Sequence, residues 1–183
     1  MWYAGVGSRQ TPIIVVKRMI EIAEELSELG YTLRSGGADG ADTAFEKGCD
    51  AVSGEKEIYL PWAGFNNSKS ELYDCYNLMH LVTAQRTYGP QWNRIRGPVK
   101  KLMTRNVAQV MGLDDREVAY SEFVVCWTPD GCESTSKRTR VTGGTGQCIA
   151  VANDLRIPVY NMFNDNFEER LKQHLYRRTL FEN

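Results

Sequence analysis

Short strand-like runs that each stop at a turn of small residues and pass into a helix-like run constrain this chain more than any other feature. Trp2-Tyr3-Ala4-Gly5-Val6 stops at Gly7-Ser8-Arg9, and Tyr31-Thr32-Leu33-Arg34 stops at Ser35-Gly36-Gly37-Ala38-Asp39-Gly40-Ala41-Asp42. Glu57-Ile58-Tyr59-Leu60 ends at Pro61-Trp62-Ala63-Gly64, and Glu122-Phe123-Val124-Val125-Cys126-Trp127 ends at Thr128-Pro129-Asp130-Gly131. After the first strand, Val16, Met19, Ile20, Ala23 and Leu26 recur at helical spacing, with Thr11 as N-cap, Pro12 at the first helical position and Gly30 as terminator. A second helix opens at Thr43-Ala44-Phe45-Glu46 and runs to about Gly48, and residues 147–155 form another. Ile157-Pro158-Val159-Tyr160-Asn161-Met162 is a last strand, and Phe167, Leu171, Leu175 and Arg178 mark a closing amphipathic helix. Strands alternating with helices imply right-handed crossovers. The expected class is therefore α/β: a Rossmann-like open parallel sheet with helices on both faces.

Two glycine turns stand out within that frame, Ser35-Gly36-Gly37 and Thr142-Gly143-Gly144-Thr145-Gly146. Glycines between a strand and a helix let the backbone approach a ligand, and the first helical turn has free N–H groups that suit an anion. Tight turns needed only for helix–strand packing would read the same way for either turn alone. In an open parallel sheet both turns, with Gly7-Ser8-Arg9 and the turn at 128–131, belong beyond the carboxyl ends of the strands, where ligands bind. The chain has neither G-x-G-x-x-G after its first strand nor G-x-x-x-x-G-K-[ST] anywhere, which argues against dinucleotide oxidoreductases and P-loop NTPases.

Charge adds a limit. A formal net charge of −1 over 183 residues gives no general polyanion-binding character, so phosphate recognition must be local. One local source is Lys137, Arg138 and Arg140, just before the second glycine turn; a solvated loop is the ordinary alternative. The length fits one domain, residues 1–183. Cys49, Cys75, Cys126, Cys132 and Cys148 are odd in number and without C-x-x-C spacing, as expected of buried thiols in a reducing cytoplasm. With no apolar run of membrane-spanning length, a cytoplasmic location and no membrane partner are expected.

The middle of the chain is less regular. Leu72, Cys75, Tyr76, Met79 and Val82 form one helical stripe, a candidate oligomer face or ordinary core. The run 88–97 reads as an irregular loop whose Trp92, Arg94 and Arg96 could cover a ligand or simply anchor it. Pro98 starts a helix with Val99, Met103, Asn106 and Val110 along one face. Asn106 points inward, and from spacing alone its neighbour Arg105 reads as a surface residue. His80 and His174 are isolated, so no metal site is expected, and the absence of G-x-S-x-G excludes a nucleophile elbow.

Gly5-Val6-Gly7-Ser8-Arg9, the 35–42 turn, Arg105-Asn106, and Thr142-Gly143-Gly144-Thr145-Gly146 followed by Ile157-Pro158-Val159 together resemble the SLOG superfamily over nearly the whole chain. That group includes YspA/YpsA-related proteins, the DprA/Smf Rossmann domain and the LOG cytokinin-activating enzymes; small single-domain, often phage-encoded members are the expected relatives. The resemblance implies a nucleotide-derived ligand between the glycine motifs, with Arg105 and Asn106 at the site. Members in bacterial defence sense cyclic ADP-ribose-type signals, so a phage relative would act against defence by holding such a signal. LOG enzymes cleave a base from a ribose phosphate with an Arg and the Glu pair of P-G-G-x-G-T-x-E-E. Here Ile149 and Ala150 stand at the two Glu positions, which puts that hydrolase activity in doubt, because an oxocarbenium-like transition state wants a carboxylate. Asp39, Asp42 or Glu46 could substitute. DprA-like single-stranded DNA binding is a further alternative, ranked lower on net charge, with a patch of Trp92, Arg94, Arg96, Lys137, Arg138 and Arg140 as its surface.

The reading that follows is a binding protein rather than an enzyme, without cofactor or metal. Gly7, Gly36, Gly37, Gly143, Gly144 and Gly146 supply backbone, and Ser8, Ser35, Thr128 and Thr145 supply hydroxyls. Arg9, Arg105 and Arg138 neutralise phosphate, Asp39 or Asp42 accepts from ribose, and Asn106 orients the site. The partner expected is a nucleotide-derived small molecule, with self-association as a homo-oligomer open.

Overall fold

The computed structural model describes residues 1–74, 76–113 and 119–181. Five strands form one parallel sheet: β1 (Trp2–Gly7), β2 (Thr32–Ser35), β3 (Lys56–Ile58), β4 (Val124–Trp127) and β5 (Val159–Asn161). Their order is β3-β2-β1-β4-β5. Helices α1 (Ile13–Glu28), α2 (Ala41–Ala51) and α6 (Phe167–Phe181) cover one face, and α3 (Leu78–Tyr88), α4 (Gly97–Met111) and α5 (Thr145–Asp154) cover the other. This is the α/β, Rossmann-like arrangement that the alternation predicts. Chain order reverses between β1 and β4, where the Gly7-Ser8-Arg9 turn meets the turn after Trp127, the place at which open parallel sheets bind ligands.

Strand periodicity divides β1 between two cores. Tyr3 packs in the core under α1, α2 and α6, while Ala4 and Val6 join the one under α4 and α5. Tyr3 stacks on Phe123 at 5.9 Å and meets Phe45 edge-on at 6.3 Å. A Cβ at Gly5 would lie 2.6 Å from the Phe45 ring, so the missing side chain is what lets Phe45 lie on the strand. Full burial of a ring of that kind contributes roughly 1.5–3 kcal/mol.

Several local expectations are corrected. Thr11 is not the N-cap of α1; Pro12 holds that position, and the Thr11 hydroxyl donates to the Ser8 carbonyl at 2.7 Å. The second helix runs past Gly48 to Ala51, because that glycine is a contact with α1: a Cβ there would overlap the Ile20 carbonyl. The stripe at 72–82 is not one helical face. Helix α3 begins only at Leu78, Cys75 lies outside the described residues, and Met79 and Val82 are exposed. The buried face of α3 is His80, Thr83, Ala84 and Thr87. Those polar groups have partners: the His80 ring lies 2.7 Å from both Asn77 Oδ1 and the Gly112 carbonyl, and the Thr87 hydroxyl donates to the Thr83 carbonyl. Hydrogen bonding, not apolar count, chose the inward side. Trp92 sits in a short 3-10 turn (Pro90–Arg94), buried against Tyr88 with the Lys100 ammonium over its ring, so it anchors its loop and offers no free face. Arg178 falls among residues of α6 whose side chains are not described.

Candidate functional site

Helix α4 carries the centre of the site. Apolar residues at Val107, Val110 and Met111 hold it against the sheet, and that packing draws Arg105, Asn106 and Gln109 inside with them. Arg105 is only 4% exposed, which overturns its reading as a surface residue. Its guanidinium lies directly over Gly36, where a Cβ would overlap Nη1 and would meet Gln109 Nε2 at 2.7 Å. The side chain absent at 36 thus makes room for the guanidinium, a matter of close approach and not of backbone conformation.

The charge of Arg105 is only partly answered. Nη1 faces Asp42 Oδ2 at 3.5 Å, a long contact for an ion pair, with both side chains buried. Arg105 Nε and Gln109 Nε2 are buried donors without a partner among the described residues. Burial pushes the Asp42 carboxyl above its ordinary range, and Arg105 with the N–H groups of Ala38 and Gly7 opposes that shift without reversing it. Asp42 thus links the first glycine turn, the Gly7 turn and Arg105. Leaving such donors unmet costs roughly 1–3 kcal/mol each, a cost that an entering anion would remove.

The second glycine turn reaches the same helix from the other side. Asn106 Nδ2 donates to the Gly144 carbonyl at 3.3 Å, and the Cys148 thiol lies 3.5 Å from Gln109 Oε1. Burial pushes that thiol up to about 12, so it is a neutral packing group. Gly143 has φ 64°, which favours glycine. Gly144 has helical φ of −64°, and a Cβ there would point into open space. Among the described residues no packing contact explains that second glycine. Thr145 and Gly146 are buried in the first turn of α5.

The remaining predicted residues divide. Arg9 and Asp39 are exposed at the same edge, and Asp39 Oδ1 accepts from Asn66 Nδ2 at 2.9 Å. The Ser35 hydroxyl donates to the Gly5 carbonyl, and Ser8 Oγ accepts from the Gln10 N–H. Thr128 is fully buried, its hydroxyl accepting from Cys132 N–H and Asn161 Nδ2. Arg138 Nη1 donates to the carbonyls of Thr87 and Gly146 at 3.2 Å, bracing the α5 start from behind. Asp130 pins the loop leading to the second turn by accepting from the hydroxyls of Thr139 and Thr142. Although burial acts the other way, those hydroxyls hold its carboxyl down to about 2. Arg9, Arg96, Lys137 and Arg140 have no ion-pair partner among the described residues.

Sequence reasoning missed Gln109, Cys148 and the loop after β3. Gln109 lies four residues after Arg105 and shares its face, a signal that was available. The post-β3 loop left no such trace: Asn66 Nδ2 donates to the Gly37 carbonyl at 3.1 Å, and the Phe65 ring lies 5.9 Å from the Arg105 guanidinium. Ile149 and Ala150 are both buried in α5, so no carboxylate reaches the cleft from that motif. Among the described residues no group of His, Cys, Asp and Glu could hold a metal ion. None of their helices is long and apolar enough to cross a membrane.

No protein-family model matches the chain, and no curated protein matches it. Among solved structures it is similar to DNA processing protein A from Helicobacter pylori, described for its unique single-stranded DNA binding mode. The TM-score is 0.55 at 17% identity, over 95% of this chain and 72% of the other. At that identity the likeness is one of fold: this chain has a DprA-like, Rossmann-like fold.

Proposed function

We propose that this protein binds single-stranded DNA, taking one backbone phosphate into the cleft between Gly36 and Gly144. The observation that carries the reading is the buried Arg105, whose Nε has no partner, beside the equally unpartnered Gln109 Nε2. A phosphate oxygen would accept from both and relieve the long contact with Asp42. Exposed Arg9, Arg96, Lys137 and Arg140 supply cations for flanking phosphates, and the similarity of fold to a DNA-binding protein fits. Membership of the SLOG superfamily rests on the ordered motifs and belongs to the same proposal, as do a cytoplasmic location and the treatment of residues 1–183 as one domain.

A second reading is favoured by one observation. The net charge is −1 and, among the described residues, one cation is buried at the cleft, which suits a single phosphate group on a nucleotide-derived small molecule. Fluorescence anisotropy with a labelled ten-residue oligothymidylate, at rising salt and with AMP and ADP-ribose as competitors, separates the two. Saturable binding that weakens steeply with salt supports the DNA reading. Tight binding of ADP-ribose with no oligonucleotide binding overturns it in favour of the small molecule.

A further inference from the structure

The loop after β3 is tied to the first glycine turn by the Asn66 side chain. Gly64, Asn66 and Asn67 have φ of 69°, 51° and 59°, so two non-glycine residues sit side by side in the left-handed region. The Asn66 amide ties the loop down by donating to the Gly37 carbonyl and to Asp39. A Cβ at Gly37 would meet Leu60 at 3.0 Å, so loop and turn are in close contact. The result places the Phe65 ring 5.9 Å from the Arg105 guanidinium and sets Trp62 edge-on to Phe65 at 5.2 Å.

Trp62 is the exposed member of the four tryptophans. Trp92 and Trp127 are buried, Trp2 lies under the Arg34 guanidinium at 4.7 Å, and Trp62 is 37% exposed. Trp62 is thus a partly exposed ring on a tethered loop, one aromatic contact away from the buried cation of Arg105. We propose that Trp62, buttressed by Phe65, is a stacking platform for the base of the nucleotide whose phosphate Arg105 receives. This rests on the phosphate-binding reading above and adds a base contact to it. Stacking tolerates any base, so the platform contributes affinity without strict sequence preference.

The test compares a labelled ten-residue oligothymidylate with an abasic phosphodiester of the same length, on the wild type and on Trp62→Ala and Trp62→Phe. The wild type should bind the thymidylate about tenfold more tightly than the abasic polymer. Trp62→Ala should lose that ratio with unchanged affinity for the abasic chain, and Trp62→Phe should keep most of it. Intrinsic fluorescence should be quenched by the thymidylate in the wild type and not in Trp62→Ala. A tenfold preference that survives Trp62→Ala overturns the platform, as does a wild type that binds both polymers equally; both results leave the phosphate site standing. Failure of the wild type to bind either polymer overturns the single-stranded DNA reading, and the platform with it.

Discussion

Among the described residues two arginines lie buried, and they are buried differently. Arg34, 2% exposed, has its Nε on Glu57 at 2.7 Å, donates through Nη1 to the Ala119 carbonyl and lies over the Trp2 ring. Glu57 in turn accepts from Trp2 Nε1 and the Tyr59 hydroxyl. Arg105, nearly as buried, has one long contact to an acid that burial itself pushes toward neutrality, and a donor with no acceptor. A desolvated guanidinium is tolerable when its hydrogen bonds are made. The first arginine has its hydrogen bonds made within the fold; the second has a donor left over among the described residues.

Substitutions should separate the two. Arg34→Met should destabilise the protein by about 3–5 kcal/mol in urea unfolding, the range for breaking a buried ion pair, while the folded fraction keeps its oligothymidylate affinity. Arg105→Met should show the reverse pattern. Affinity should fall about a hundredfold, roughly 2.7 kcal/mol, with a much smaller stability change, because Asp42 can take up a proton once its partner is gone. Equal stability losses for the two variants would break the comparison.

The glycine turns sharpen it further. Gly36→Ala should push the Arg105 guanidinium aside and weaken binding about tenfold, the fold surviving because the displaced group ends a flexible side chain. Gly144→Ala meets open space and should leave the urea midpoint unchanged, so any loss of affinity there reports contact with the guest. Asp42→Asn removes the carboxylate that competes with an incoming phosphate, and affinity should rise a few-fold; a fall would mean that the acid positions Arg105 instead.

The smallest effect concerns acid. Asp130 is held down to about 2, below its unfolded value near 3.9, so its contribution is present above that unfolded value and is lost as pH falls through the folded one. Protection of amides in residues 130–142 against hydrogen exchange should drop between about pH 4 and pH 2, ahead of those in β1.

Much of this was legible in the sequence, and the limits have physical causes. Parallel strands buried on both faces are apolar and end in small residues, so β1, β2 and β4 could be placed before any coordinates. Gly36 and Gly144 could be nominated because their motifs are local, and Arg105 and Asn106 through the resemblance. The burial of Arg105 could not be read, since a helix face that is half apolar and half polar looks solvated until its opposite wall, here Gly36 and Asp42, is known. The face of α3 was misread for the same reason: His80, Thr83 and Thr87 turn inward only because Asn77, Gly112 and backbone carbonyls far apart in sequence meet them.

Cys148 sits on the seam between α4 and α5, its thiol against the Asn106 carbonyl and Gln109, and stays protonated while that seam is shut. Alkylating reagents can reach the sulfur only in the moments when the two helices part. Its rate of modification is therefore a built-in clock for breathing of the cleft, and a guest lodged between the helices should slow it.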